Sequence, residues 1–330
     1  MIHHSTAKTD AEVRRGPILI SCLGVDSDLA LLPHFLAHYQ ALGIAPGAVH
    51  VILNAPGEDH AGVDEACATL ARFGHAPAEI WTDRYSSAAM WERRRAVQAR
   101  VARPGDWIVN ADVDELHEYP APLPEVIAWC EARGITALQG PFIDRIAPDG
   151  GLAPVRETPA LSDQFPVRAE AMIHIAGLGG GHDAYGTVKL MLHRAEVRPS
   201  RGGHHPQADP RRVRYALHRP LAEFPGITRP GFRFAHPFRV HHFKWSDALV
   251  AGLHRRLANP DVSPAGKAYG TKLLAHFETR GGFDLSALPR TEPRIRPPLP
   301  WRLHMAALRR GAQMRGKAAR IKRRLRTISP

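Results

Sequence analysis

The sequence predicts an α/β fold: a doubly wound, mostly parallel sheet, then a loop-rich half, then a basic C-terminal helix. Three observations predict it. Short apolar runs of strand length alternate with stretches of helical period, in the order β-α-β-α-β-α-β, over roughly residues 16–120. Such alternation with short links winds a parallel sheet with right-handed crossovers. From Glu157 to Pro237 the chain is rich in Gly, Pro and His, the composition of binding loops laid over a scaffold. From Arg290 to Pro330 thirteen Lys and Arg face one acid, Glu292, and this net +12 equals the excess of the whole chain.

The elements follow in order. Pro17 to Leu23 is a near-continuous apolar run ended by Gly24, as expected of a strand buried on both faces. Asp28 is placed to cap a helix whose apolar positions are Leu32, Phe35, Leu36, Tyr39 and Leu42, with Gly43 as its stop. Val49 to Leu53 is a second strand and Asn54-Ala-Pro-Gly its turn; a helix from about Gly62 to Phe73 and a strand at Glu79 to Thr82 come next. Ser86 or Ser87 opens a helix through Trp91 and three consecutive arginines, Arg93 to Arg95, to about Val101. Trp107, Ile108 and Val109 form the fourth strand. Beyond it we expect a helix at 122–133, a strand at 135–143, a turn at Pro148-Asp149-Gly150, strands near 187–193 and 238–245, and a helix at 246–257. Pro289 to Pro300 reads as a linker. The expected organisation is a body of 1–289, with segments of about 16–120 and 121–260, and a tail of 290–330.

The fourth strand runs straight into an acidic cluster. Asp112, Asp114, Glu115 and Glu118 fall within seven positions, and so many carboxylates repel one another unless a cation sits among them. The carboxyl ends of parallel strands form the ligand crevice of an open α/β sheet. Asp-Val-Asp at that place suggests a divalent ion, Mn²⁺ or Mg²⁺, held by Asp112 and Asp114 with a diphosphate as its other partner. A solvated acidic turn is the plainer alternative.

Composition bounds the rest. The 330 residues, 44% hydrophobic and 23% charged, are those of an ordinary globular chain. No run approaches the roughly 18 apolar residues of a membrane span. Met1 to Asp10 is polar, which argues against a secretory signal. Cys22, Cys67 and Cys130 are widely spaced and read as reduced thiols of a cytoplasmic protein.

Several motifs together resemble a known group. Phe35-Leu-Ala-His-Tyr-Gln-Ala-Leu-Gly, Asn54 after the second strand and Asn110-Ala-Asp-Val-Asp-Glu come first. Asp144-Arg-Ile-Ala-Pro-Asp-Gly-Gly-Leu, Gln164-Phe-Pro, Gly202-Gly-His-His and His241-His-Phe-Lys-Trp follow. In this order and spacing, over about Ile18 to Leu257, they resemble GT-A-fold glycosyltransferases similar to bacterial family 2-like proteins. The resemblance implies a GT-A-like sheet with a nucleotide-binding half and an acceptor-binding half, a nucleotide-sugar donor, and a glycan or lipid-linked acceptor, such as one of the cell envelope. It also implies that Asn54, Cys22 and Leu23 contact the base, and that one of Arg93, Arg94 and Arg95, with Arg95 the choice, faces the nucleotide bidentately.

Histidines and carboxylates beyond the cluster supply further candidates. Adjacent strand residues point to opposite faces, so only one of His241 and His242 can face the cleft. His242 is the choice, as a third metal ligand, and Lys244 shares its face and would meet phosphate. Inverting transfer needs a base for the acceptor hydroxyl, and Asp144, Asp163 and His205 are the candidates.

Rival classes are weighed against this. A phosphatase of the haloacid dehalogenase type carries Asp-x-Asp on its first strand, not its fourth. A non-catalytic nucleotide- or sugar-binding module on the same fold is the alternative. Nucleic acid is disfavoured because the body is neutral. In the tail, Trp301, Met305, Leu308 and Ala312 keep helical spacing, and Met314, Ala318, Ile321, Leu325 and Ile328 continue it after a shift of register. With the bases between them they make an amphipathic helix suited to an anionic membrane surface, hence a peripheral location on the inner face.

Overall fold

The computed structural model describes residues 16–177, 181–207, 213–290 and 300–328. The N-terminal stretch read for a signal, and most of the Pro289 to Pro300 linker, lie outside them.

Nine strands form one sheet. In chain order they are β1 (Ile18–Gly24), β2 (Val49–Asn54), β3 (Glu79–Trp81), β4 (Trp107–Asn110), β5 (Glu115–Glu118), β6 (Ala137–Ile146), β7 (Val167–Ala169), β8 (Val188–Arg194) and β9 (Arg239–His242). Their spatial order is β3-β2-β1-β4-β8-β6-β9-β5, with β7 paired to β6. The helices are α1 (Leu32–Ala41), α2 (Ala61–Arg72), α3 (Ser87–Val101), α4 (Leu123–Glu131), α5 (Leu161–Gln164), α6 (Ala171–Ala176), α7 (Pro230–Ala235), α8 (Ala248–Ala258), α9 (Pro264–Arg280) and α10 (Trp301–Ile328).

The parallel, doubly wound expectation describes β3-β2-β1-β4, where every pairing is parallel. Beyond β4 the sheet is mixed: β8 is antiparallel to β4 and β6, while β9 is parallel to β6 and antiparallel to β5. A strand from the later half, β8, thus lies against the last parallel strand, and the two halves share one sheet. Residues alternate across β1: Leu19 and Leu23 enter the main core with Leu32, Phe35 and Leu36 of α1, whereas Ile18, Ile20 and Cys22 meet Trp91 and Val97 of α3 on the other face. Both faces are covered, which is why β1 and β4 read as unbroken apolar runs.

Three local readings change. Asp28 does not cap the following helical turn with its side chain; its carboxylate accepts from Gly24 N at 2.9 Å and closes the end of β1 instead. The acidic stretch is not all turn, because Glu115–Glu118 is itself strand β5. The tail is not separate from the body. Met305 and Ala312 of α10 are buried, and Trp301 packs edge-on to Trp129 with ring centroids 5.3 Å apart.

Candidate functional site

Strand order reverses between β1 and β4, since β2 lies on one side of β1 and β4 on the other. The turn Ala111 to Asp114 follows β4 at this switch point. The cations that allow its carboxylates to sit together are side chains of the protein. Asp112 Oδ1 accepts from Arg94 Nη1 and Asp112 Oδ2 from Lys189 Nζ at 2.8 Å. Lys189 is fully buried on β8 and also donates to Glu115 Oε1 at 2.9 Å, while Glu115 Oε2 accepts from Asp112 N at 2.9 Å. Arg94 donates as well to Ile20 O, Asn110 Oδ1 and Ala111 O, so one guanidinium ties β1 to the end of β4.

Electrostatics follow from this packing. Burial opposes ionisation of Asp112, yet Lys189 and then Arg94 hold its carboxyl well below the usual carboxylate range. Glu115 is pushed up to about 7 by burial and by the Asp112 charge, against the pull of Lys189. Burial disfavours the charge on Lys189, but Asp112 and Glu115 raise its pKa overall.

A second set lies beside the first. His242 Nε2 is 3.3 Å from Asp114 Oδ2, and His242 Nδ1 is 3.1 Å from Asp144 Oδ1. Burial works against the imidazolium, but the two carboxylates raise His242 to about 10. Asp144 is enclosed: Oδ1 also accepts from Trp245 Nε1 at 2.8 Å and Oδ2 from Met172 N at 2.8 Å. Both Asp144 oxygens are committed, and Oδ1 positions His242. His241 points the other way, to Glu118 Oε2 at 2.7 Å, so only His242 joins the site, as the alternation of a strand requires.

The remaining expectations divide. Among the three arginines, Arg94 reaches Asp112, while Arg93 pairs with Asp83 and half-buried Arg95 lines a small cavity with Trp91, Gln98 and His193. Arg94 is buried and committed to Asp112 and the β1 and β4 backbone, while Arg95 lines that cavity together with Ile20, Ile108 and Asn110. Leu23 has its side chain in the core, leaving only its backbone for a ligand. Cys22 faces the Arg94 and Asp112 side, with burial pushing its thiol up to about 12. Asn54 Nδ2 donates to Trp81 O and Asp83 O at 3.0 and 2.9 Å and so staples the end of β3. Asp163 is exposed on α5, beside Ser162, whose carbonyl accepts from Arg145. Arg145 and Asp144 are neighbours on β6 and face opposite sides, so Asp163 lies across the sheet from His242. His205 is half-buried, with its ring 5.0 Å from that of Tyr185. It follows Gly203, where φ is +68° and an added Cβ would lie 2.6 Å from Trp91 and 2.7 Å from Asn110. That close approach seats the Gly-Gly-His-His loop against the site wall. Lys244 is half-buried, donates to Tyr269 Oη at 3.0 Å, and lowers the pKa of Asp114 less than His242 does.

Two residues of the site went unpredicted. Lys189 carried a signal, as the one charge inside Val-Lys-Leu-Met-Leu, a strand otherwise apolar, where a buried charge demands partners. Trp245 stood in a quoted motif, but its tie to Asp144 101 residues away has no local mark.

The donor set was tested for a metal. No group of three or more His, Cys, Asp or Glu side chains among the described residues is arranged to hold one. Asp114 and His242 offer two donors at most, and the charged imidazole that Asp114 and Asp144 favour would have to lose its Nε2 proton before binding a metal. A metal at Asp112 would have to share a carboxylate already held by Arg94 and Lys189.

No protein-family model and no curated protein matches this chain. Among solved structures it is similar to S. aureus TarS, at 10% identity over 79% of this chain and 42% of that one, with a TM-score of 0.30. It is also similar to S. aureus TarS 1-349, at 10% identity over 80% of this chain and 72% of that one, with a TM-score of 0.31. The chain spans less than half the length of the first of these.

Proposed function

We propose that the chain is a glycosyltransferase that moves a sugar from a nucleoside-diphosphate sugar to a glycan or lipid-linked acceptor. The observation that carries this reading is the position of the Asp112–Asp114 turn at the switch point between β1 and β4, where open α/β sheets bind nucleotides.

In this reading Arg94 and Lys189 hold Asp112 ionised and immobile, so that it accepts hydrogen bonds from the ribose hydroxyls. Asp144 and Trp245 fix His242, and His242 with Asp114 faces the diphosphate. Lys244 adds positive charge on the same side. A bound Mn²⁺ or Mg²⁺ would be held by Asp114 and His242 and would act as a Lewis acid on the departing diphosphate. Of the three candidate bases, His205 uses Nδ1 on Pro206 O at 3.0 Å and keeps Nε2, on the loop whose Gly203 packs against Trp91 and Asn110; we assign it to accept the acceptor hydroxyl proton.

The experiment is a thermal-shift panel of nucleoside diphosphates with and without Mn²⁺, followed by turnover of the nucleotide-sugar that matches the best binder. Ligands that bind only the folded state raise its melting temperature. A shift with one nucleoside diphosphate and release of that diphosphate from its sugar support the reading; no shift with any of them overturns it. A non-catalytic binding module is the second reading, favoured by the enclosure of Asp144. It predicts the shift without turnover.

A further inference from the structure

α10 carries a second apolar face that the body does not cover. The first face is docked. Trp301 packs on Trp129 and Phe238, with centroids at 5.3 and 5.8 Å, and Met305 and Ala312 are buried below it. Polar contacts hold the same side: Arg302 meets Glu125 at 3.1 Å, Arg309 donates to Ala216 O, and Gln313 meets His218 at 3.0 Å. Leu303 and Met314 are each 62% exposed, the exposed large apolar side chains among those described on this helix. They stand eleven residues apart, about three turns at 3.6 residues per turn, and so lie on one line opposite the docked face.

The helix runs without interruption from Trp301 to Ile328, and this gives the shift of register in the sequence a meaning. Continued past Ala312, the docked line passes through Gly316, Ala319 and Arg323, where its apolar character ends. The outer line passes through Ala318, Ile321, Leu325 and Ile328. The apolar stripe therefore changes sides halfway along one continuous helix. Basic positions flank the outer line: Arg310, Lys317 and Arg324 at seven-residue intervals on one side, Lys322 and Arg326 on the other, where Arg315 instead lays its guanidinium over Phe224 of the body, 5.2 Å from the ring centroid. From Trp301 to Ile328 there is no Asp or Glu, and no helix among the described residues is long and apolar enough to cross a membrane.

We propose that the outer face of α10 lies flat on an anionic bilayer surface, with Leu303 and Met314 at the boundary of headgroups and acyl chains and the flanking basic ridges on the headgroup phosphates. An apolar line between basic ridges is the pattern of an interfacial helix. A nucleic-acid phosphate track would use the ridges and leave Leu303 and Met314 without a role. The docked half fixes the helix to the body, so binding orients the whole protein. The inference does not depend on what the site between β1 and β4 catalyses.

The test uses the full chain, because ending it before α10 would uncover Trp129 and Phe238. Co-sedimentation is measured with vesicles of phosphatidylcholine alone and of phosphatidylcholine mixed with phosphatidylglycerol, at low and high salt. Wild type should prefer the anionic vesicles and lose affinity in salt. The triple change R310Q/K317Q/R324Q should weaken anionic binding roughly a hundredfold, as expected for three bases near a charged leaflet. L303S/M314S should also weaken it, with an unchanged melting temperature, since neither residue is on the docked face. Equal binding to both vesicle types, wild-type vesicle binding by the triple variant, or L303S/M314S binding vesicles as wild type does would each overturn the proposal. So would tight binding of a DNA or RNA fragment, or self-association of the free protein, if lost in L303S/M314S while vesicle binding is not.

Discussion

Lys189 Nζ donates to Asp112 Oδ2 at 2.8 Å across 77 residues of chain. The pair joins β8 to the turn after β4, and a fully buried ammonium there is tolerable only because Asp112 and Glu115 both accept from it. Replacing Lys189 with Met should therefore leave two carboxylates facing each other in a buried site. We expect a loss of roughly 3–5 kcal/mol, the usual cost of removing one partner of a buried ion pair. Urea unfolding at neutral pH checks it, and a variant as stable as wild type would mean that the pair contributes nothing net.

Asp114 and His242 form the donor pair proposed for a metal and diphosphate. Asp114→Asn and His242→Gln should each abolish the Mn²⁺-dependent thermal shift with nucleoside diphosphate, and sugar transfer with it, while far-UV circular dichroism stays unchanged. Asp112→Ala should remove the same shift by releasing Arg94 and Lys189. Undiminished donor turnover in any of the three would displace the site.

The three candidate bases separate in kinetics. A base acts in the transition state, so His205→Ala should lower kcat and kcat/KM together with donor affinity kept. Asp163→Asn, across the sheet, should turn over as wild type does. Asp144→Asn should change the position of His242 and lower the melting temperature. Normal turnover in His205→Ala would assign the proton to another acceptor.

Gly203 shows how closely the loop approaches. A methyl group there would lie 2.6 Å from Trp91 and 2.7 Å from Asn110, on backbone with φ of +68° that disfavours L side chains. Gly203→Ala should destabilise by about 1–3 kcal/mol, the range for overpacking a filled core. Thermal unfolding against a control Gly57→Ala, where no atom lies within 4 Å, measures it.

Glu118 supplies an acid-sensitive contact. Burial opposes its ionisation, but His241 and Arg239 draw its pKa below the unfolded value of 4.5. A carboxylate with a depressed folded pKa stabilises above its unfolded pKa and loses that contribution as pH falls below it. Melting temperature followed from pH 6 down to about 3, below the unfolded pKa, should fall more steeply for wild type than for Glu118→Gln. Parallel curves would show that the contact carries no linkage.

The sequence by itself determined the parallel half of the fold. β1, β2, β3 and β4 and the helices between them end within a few residues of where periodicity and glycine stops put them, because each buries a continuous face and its pattern is local. The acidic turn was equally legible, since four carboxylates after an apolar strand have few ordinary explanations. The partners of those carboxylates were decided only by the tertiary structure. Lys189 and Arg94 neutralise Asp112 from strands and helices distant in the chain, and which of three consecutive arginines turns inward depends on the rotation of α3 under β1. β5, β7 and α9 were missed for a related reason: β5 is strand because β9 pairs with it, although its own residues are Glu, Leu, His and Glu. The two apolar lines of α10 were both in the sequence as a shift of register. Only packing against Trp129 and Phe238 decided which line the protein itself covers.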